Sequence, residues 1–122
     1  MSRRLRGQKA HRRGLLAEKF AELALLCKGY RILARRYRTP FGEVDLIAKK
    51  GSTIAFVEVK ARGDLGLAGG AITIKNWQRV ERAAQYYLKY HRMEAAITIR
   101  LDAMLISTGL CWPKHIQGEI WS

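Results

Sequence analysis

The stretch from Gly42 to Arg62, GEVDLIAKKGSTIAFVEVKAR, constrains this chain more than any other. Two apolar runs flank Gly51-Ser52, a glycine-first pair of the composition favoured in a two-residue hairpin turn. The reading is a β-hairpin with strands at about 43–49 and 53–60. That turn sets a register in which Lys50 faces Thr53, Asp45 faces Glu58 and Glu43 faces Lys60. Alternation puts Val44, Leu46, Ala48, Ala55, Val57 and Val59 on one face. Glu43, Asp45, Ile47, Phe56, Glu58 and Lys60 take the other.

Two carboxylates are then expected opposite each other, with Cβ atoms about 4.5–5.5 Å apart. At 4 Å and an effective dielectric near 20, like charges repel by about 4 kcal/mol. A chain that keeps such a pair on a half-apolar face breaks a local rule, and such breaks tend to mark functional sites. A divalent cation offsets the repulsion, and hard cations take oxygen ligands. Lys60 lies two residues past Glu58, about 6.6 Å along the strand. A cation there suits negative charge growing on a phosphate. The competing reading of the same residues is a solvated Glu-x-Lys pair in a surface salt-bridge network.

The remaining composition favours an anionic partner. Of 122 residues, 23 are Lys or Arg and 10 are Asp or Glu, a net charge of +13. That excess predicts nucleic acid, with an acidic membrane surface as the rival. No apolar run is long enough to span a bilayer, no secretory signal is evident, and no basic amphipathic helix stands outside the core, so no membrane partner is expected. Nearly half the residues (48%) are hydrophobic, which suits a folded domain rather than a basic tail. Cys27 and Cys111 fit reduced thiols in a cytoplasmic protein.

Along the chain, residues 1–13 are basic with no acid and read as a flexible, phosphate-contacting or merely solubilising arm before a single domain, 14–122. Gly14 to about Lys28 reads as a helix with Leu15, Leu16, Phe20, Leu23, Ala24, Leu26 and Cys27 as its apolar face. Glu18 falls at the boundary of that face. Tyr30 to Tyr37 reads as a strand laced with Arg31, Arg35, Arg36 and Arg38. Such a strand suits an exposed rim, either gripping phosphates or protecting an edge. Gly63 to Ala71 reads as a glycine-rich loop without a P-loop pattern. A second helix, about Thr73 to His91, buries Trp77, Val80, Ala84, Tyr87 and Leu88. Its Lys75 opposes the macrodipole, which favours a phosphate-facing role, while Lys75, Gln78, Arg79 and Arg82 all also suit a solvated face. Ala96 to Ser107 is a further strand or two, with Asp102 read as structural and paired with an arginine. His11, His91 and His115 have no metal-ligand spacing and receive no role.

Asp45 followed by Glu58-x-Lys60 on consecutive strands resembles the PD-(D/E)XK nuclease superfamily, with Val44 where that pattern has proline. GEVDLIA, FVEVKAR, Ala17-Glu18 and Lys75 more narrowly resemble the YraN-type family of small bacterial proteins, similar to Holliday-junction resolvases. The likeness runs from about Gly14 to Trp121; it departs at Leu101, where that family has Phe between Arg100 and Asp102.

The resemblance implies a restriction-endonuclease-like α/β core of order αβββαβ(β), a mixed sheet with antiparallel early strands, flanked by helices. It implies a metal-dependent endonuclease acting on DNA rather than RNA, on branched or repair intermediates. Asp45, Glu58 and Glu18 would hold Mg²⁺ or Mn²⁺, Lys60 would be catalytic, and Glu43 would support Lys60. Lys75, Arg62, Arg35, Arg36, Arg38 and Arg79 would contact nucleic acid. A homodimer would suit a two-fold junction. The other reading is a non-catalytic nucleic-acid-binding module on a nuclease scaffold.

Overall fold

A computed structural model describes the backbone of residues 3–62, 74–92, 96–107, 112–118 and 120–121, with side chains for 15–61, 76–92, 96–106 and 112–118. The elements are α1 (Arg3–Cys27), β1 (Arg31–Arg38), β2 (Glu43–Lys50), β3 (Thr53–Arg62), α2 (Ile74–Tyr90), β4 (Thr98–Ser107), β5 (Lys114–Ile116) and β6 (Ile120–Trp121). The strands form one mixed sheet, ordered β1-β2-β3-β4-β5, with β6 also on β4. β1, β2 and β3 pair antiparallel, β3 and β4 parallel, and β5 and β6 return antiparallel to β4. The parallel pair follows from the crossover through α2, since adjacent parallel strands need a long connection. The arginine-rich β1 ends the sheet, as its exposed cations require. The glycine-rich loop and Cys111 lie outside the described residues.

The helices cover opposite faces. Under α1 pack Leu46, Ala48, Ala55, Val57 and Met104, with Val59 and Ile106 partly buried beside them. Under α2 pack Val44, Ile47, Ile54, Phe56 and Leu101, against Val80, Ala83, Ala84 and Tyr87 of the helix. Each large side chain buried in these layers contributes about 1.5–3 kcal/mol. The α2 face is the one its periodicity predicts.

The α1 face is not. Its buried residues are Ala17, Ala21, Ala24 and Leu25, whereas Leu16 is 59% and Phe20 52% exposed, and Leu23 and Leu26 are half-exposed. This stripe of mostly small residues lets the helix lie close to the sheet. Apolar residues occupy both sides of α1, so periodicity alone selects the bulkier side, and the sheet selects the smaller one. The helix also begins at Arg3 rather than Gly14. The intervening residues hold no proline and are rich in the helix formers Arg, Lys, Gln and Ala.

The turn from β1 to β2 is fixed by one hydroxyl and one glycine. Thr39 Oγ1 accepts from the Phe41 and Gly42 N–H groups at 3.1 and 2.9 Å, and Thr39 N–H donates to the Gly42 carbonyl at 2.9 Å. Gly42 presses on α2: a Cβ there would stand 2.1 Å from the Arg79 carbonyl oxygen. The site's entrance strand is thereby held against the second helix.

Candidate active site

The predicted hairpin register holds from Lys50–Thr53 to Leu46–Val57 and there the β2–β3 ladder ends. Asp45 and Glu58 are therefore not a ladder pair, and Glu43 does not lie opposite Lys60 in it. The Val59 N–H instead donates to Asp45 Oδ2 at 2.8 Å, so a side chain replaces the strand. Alternation also breaks here. β1 and β2 pair at Arg35–Leu46 and again at Tyr37–Val44, with Arg36 and Asp45 between. Arg36 has φ of 50°, left-handed for a non-glycine residue. Val44 lies with Ile47 on the α2 face rather than on the expected Leu46 face. Irregular strands and uncommon backbone angles cluster beside functional sites because they re-aim side chains.

The two acids meet at this departure. The Glu58 side chain is hydrogen-bonded to Asp45. Alternation from Phe56 under α2, with Val57 and Val59 under α1, carries Glu58 and Lys60 on the α2 side. Burial raises the Glu58 pKa to about 9, reinforced by the Asp45 hydrogen bond, Asp45 repulsion and more distantly Glu43, while Lys60 opposes the rise. Its raised pKa leaves Glu58 with a proton at neutral pH that it can share with Asp45. Two oxygen ligands forced together, at a cost relieved only by sharing a proton, form a donor set suited to a hard cation.

The other expected site residues fall elsewhere. Glu18 is not gathered with the pair: it stands on α1 and accepts from Arg36 Nε at 2.7 Å. Among the described residues, no group of three or more His, Cys, Asp or Glu side chains is placed to hold a metal ion. Glu43 does not brace Lys60; its carboxylate takes Arg38 on one oxygen and Arg79 on the other. Arg35 pairs with Glu22. Four expected phosphate contacts, Arg35, Arg36, Arg38 and Arg79, are thus each in an ion pair. Arg35, Arg38 and Arg79 remain substantially exposed. The side chains of Arg62 and Lys75 lie outside the described residues.

A second polar cluster was invisible in sequence spacing. Asp102 is fully buried and takes Arg100 through Nε and Nη2, each at 2.8 Å, the Gly118 N–H at 3.2 Å and His115 Nε2 at 2.7 Å. Burial alone would raise the Asp102 pKa, but the bonds from His115, Arg100 and Gly118 hold it below the ordinary value. His115 Nδ1 meets Lys28 Nζ at 2.8 Å, and Arg100 also reaches the Tyr30 hydroxyl. Asp102 bears out its reading as a structural ion-pair member. His115, given no role, is its partner 13 residues on, across the β4–β5 pair. The cluster ties the last strands to the end of α1 and buries no unpaired charge.

The family model described as "Uncharacterised protein family UPF0102" matches residues 17–106, which include Glu18, Asp45, Glu58 and Lys60. A UPF0102 protein of Methylorubrum extorquens is 48% identical over 93% of this chain and 88% of its own length. One from Nitrobacter winogradskyi is 49% identical over 86% of this chain and 88% of its own. Another, from Bradyrhizobium diazoefficiens, is 49% identical over 88% of this chain and 80% of its own.

Proposed function

We propose that this chain, which belongs to the UPF0102 family, is a metal-dependent endonuclease acting on DNA. The observation that carries the reading is the hydrogen-bonded Asp45–Glu58 pair where β2 leaves β3, with Lys60 on the same side. The resemblance to the PD-(D/E)XK superfamily and to restriction-endonuclease-like folds supports it. So do the mixed sheet between two helices and the net charge of +13.

Asp45 and Glu58 would hold Mg²⁺ or Mn²⁺, with waters and substrate phosphate completing the shell. When bound, the ion supplies Lewis acidity and neutralises charge at the phosphate. The Val59 N–H orients Asp45 for that task. Glu58 would have to release its proton to serve as a ligand. Lys60 stabilises negative charge developing on the phosphate oxygens. Arg38 and Arg79, aligned by Glu43 at the entrance, guide the backbone of the nucleic acid. Glu18 has no place in this scheme.

The test is a nicking assay on branched, single-stranded and duplex DNA with a series of divalent ions. Cleavage that needs Mg²⁺ or Mn²⁺ and disappears in Asp45→Asn and Lys60→Ala is expected. A second reading, a non-catalytic nucleic-acid-binding module, is favoured by the absence of a third carboxylate beside the pair among the described residues. Salt-sensitive binding that Asp45→Asn leaves unchanged, with no cleavage of any substrate, would select it.

A further inference from the structure

The exposed face of α2 carries a feature the catalytic scheme does not use. Phe41, at the tip of the β1–β2 turn, lies beside Tyr86, with ring centroids 6.2 Å apart and planes tilted by 47°. Tyr86 in turn lies beside Tyr90, at 4.7 Å and 48°. Phe41 is 64% and Tyr90 61% exposed. With Arg82, Gln85 and Lys89 these rings line an open groove of about 380 Å³. No acid is among its lining residues.

Its place follows from the fold. The Thr39 hydroxyl and the Gly42–Arg79 contact set the turn that brings Phe41 onto α2. Arg79 also pairs with Glu43, whose charge reaches Glu58. From Arg79 to Tyr86 is about 10 Å of helix, at 1.5 Å per residue. The groove thus lies on the side of the sheet that α2 covers, that distance along the helix beyond the Arg79–Glu43 pair.

Exposed rings rimmed by cations mark a binding surface rather than a core. Two copies of this face would set Arg82 and Lys89 against their own like charges, in a chain of net charge +13. An unpaired nucleic-acid strand satisfies both halves of the groove, base faces for the rings and phosphates for the cations. A duplex offers the phosphates alone, because its base faces are stacked on each other.

We propose that the Phe41–Tyr86–Tyr90 groove binds unpaired bases of a single strand whose backbone runs towards the Asp45–Glu58 pair. The proposal rests on the nucleic-acid part of the function above and specifies the substrate: a junction, flap or gap with a single-stranded segment.

The experiment is fluorescence anisotropy in EDTA, with a labelled oligothymidylate and a labelled duplex of equal length. The variants are Phe41→Ala/Tyr90→Ala and Phe41→Tyr/Tyr90→Phe, each checked for native melting. The alanine pair should lose about 10–100-fold in affinity for the single strand and under about 3-fold for the duplex. The aromatic pair should bind both as the parent does. Equal losses on the two probes, no loss on either, or a parent that binds no single strand would overturn it. So would a parent dimer that the alanine pair dissociates while leaving binding unchanged. EDTA keeps cleavage silent, so a protein that never cuts DNA still gives the expected result. An active nuclease with equal losses sinks this inference alone.

Discussion

Asp45 answers to two neighbours, the Val59 N–H and the Glu58 carboxyl. Asparagine keeps an oxygen for the Val59 N–H and turns an amide N–H donor towards Glu58, removing the like charge, so Asp45→Asn should be as stable as the parent, or more so, in EDTA. Clear destabilisation in chemical denaturation would make Asp45 a structural ion-pair member instead. Glu58 sets the pH dependence. Its pKa is raised from 4.5 to about 9, so the folded protein holds a proton that the unfolded chain releases in between. Its contribution is fully present below about pH 4.3 and drains away as pH rises towards 9. Metal-free stability should therefore fall across that window and Glu58→Gln should flatten the fall, by about 1–3 kcal/mol at pH 8. Asp102 has the opposite sign. Its lowered pKa stabilises the fold above about pH 4 and is lost on acidification. Asp102→Ala strands Arg100 in the interior and should cost about 3–5 kcal/mol in a urea melt. Of these residues the acidic pair was legible as neighbours near the end of the hairpin, but its geometry was not, because the ladder stops at Leu46–Val57 and Asp45 meets Glu58 through side chains. The left-handed Arg36 and the His115–Asp102 bond were not legible, since both depend on packing between distant segments.

At the scale of elements, the hairpin and α2 were readable because only one arrangement buries their apolar residues. α1 was not, because either side offers apolar groups and the close fit to the sheet favours alanines. The difference is measurable. Leu25→Ala should cost about 2–5 kcal/mol, whereas Leu16→Ser should stay within about 0.5 kcal/mol in the monomer. Comparable losses at the two positions would restore the sequence-based face. The β1–β2 turn gives a second check. Gly42→Ala drives a methyl into the Arg79 carbonyl and should destabilise by about 1–3 kcal/mol. Thermal melts that superimpose would contradict the turn's contact with α2. Phe41 could not be linked to Tyr86 by sequence, because turn residues carry no periodicity.

Over the whole molecule, charge and topology act together. The net charge of +13 predicts nucleic-acid affinity that falls steeply with salt, about 10³-fold or more between 50 and 200 mM if six or more phosphates are engaged. Among the described residues no helix is long and apolar enough to cross a membrane. Four acids, Glu18, Glu22, Glu43 and Asp102, are each paired with arginine, whereas Asp45 and Glu58 face one another. In a chain so rich in cations, that close approach of two acids is the reason the proposed function puts a divalent ion there. The decisive measurement is a Mn²⁺ titration of the protein followed by the loss of the free-ion EPR signal. Saturable uptake should vanish in both Asp45→Asn and Glu58→Gln and persist in Lys60→Ala. No uptake by the parent, or uptake that neither acid substitution changes, would contradict a cation site at this pair.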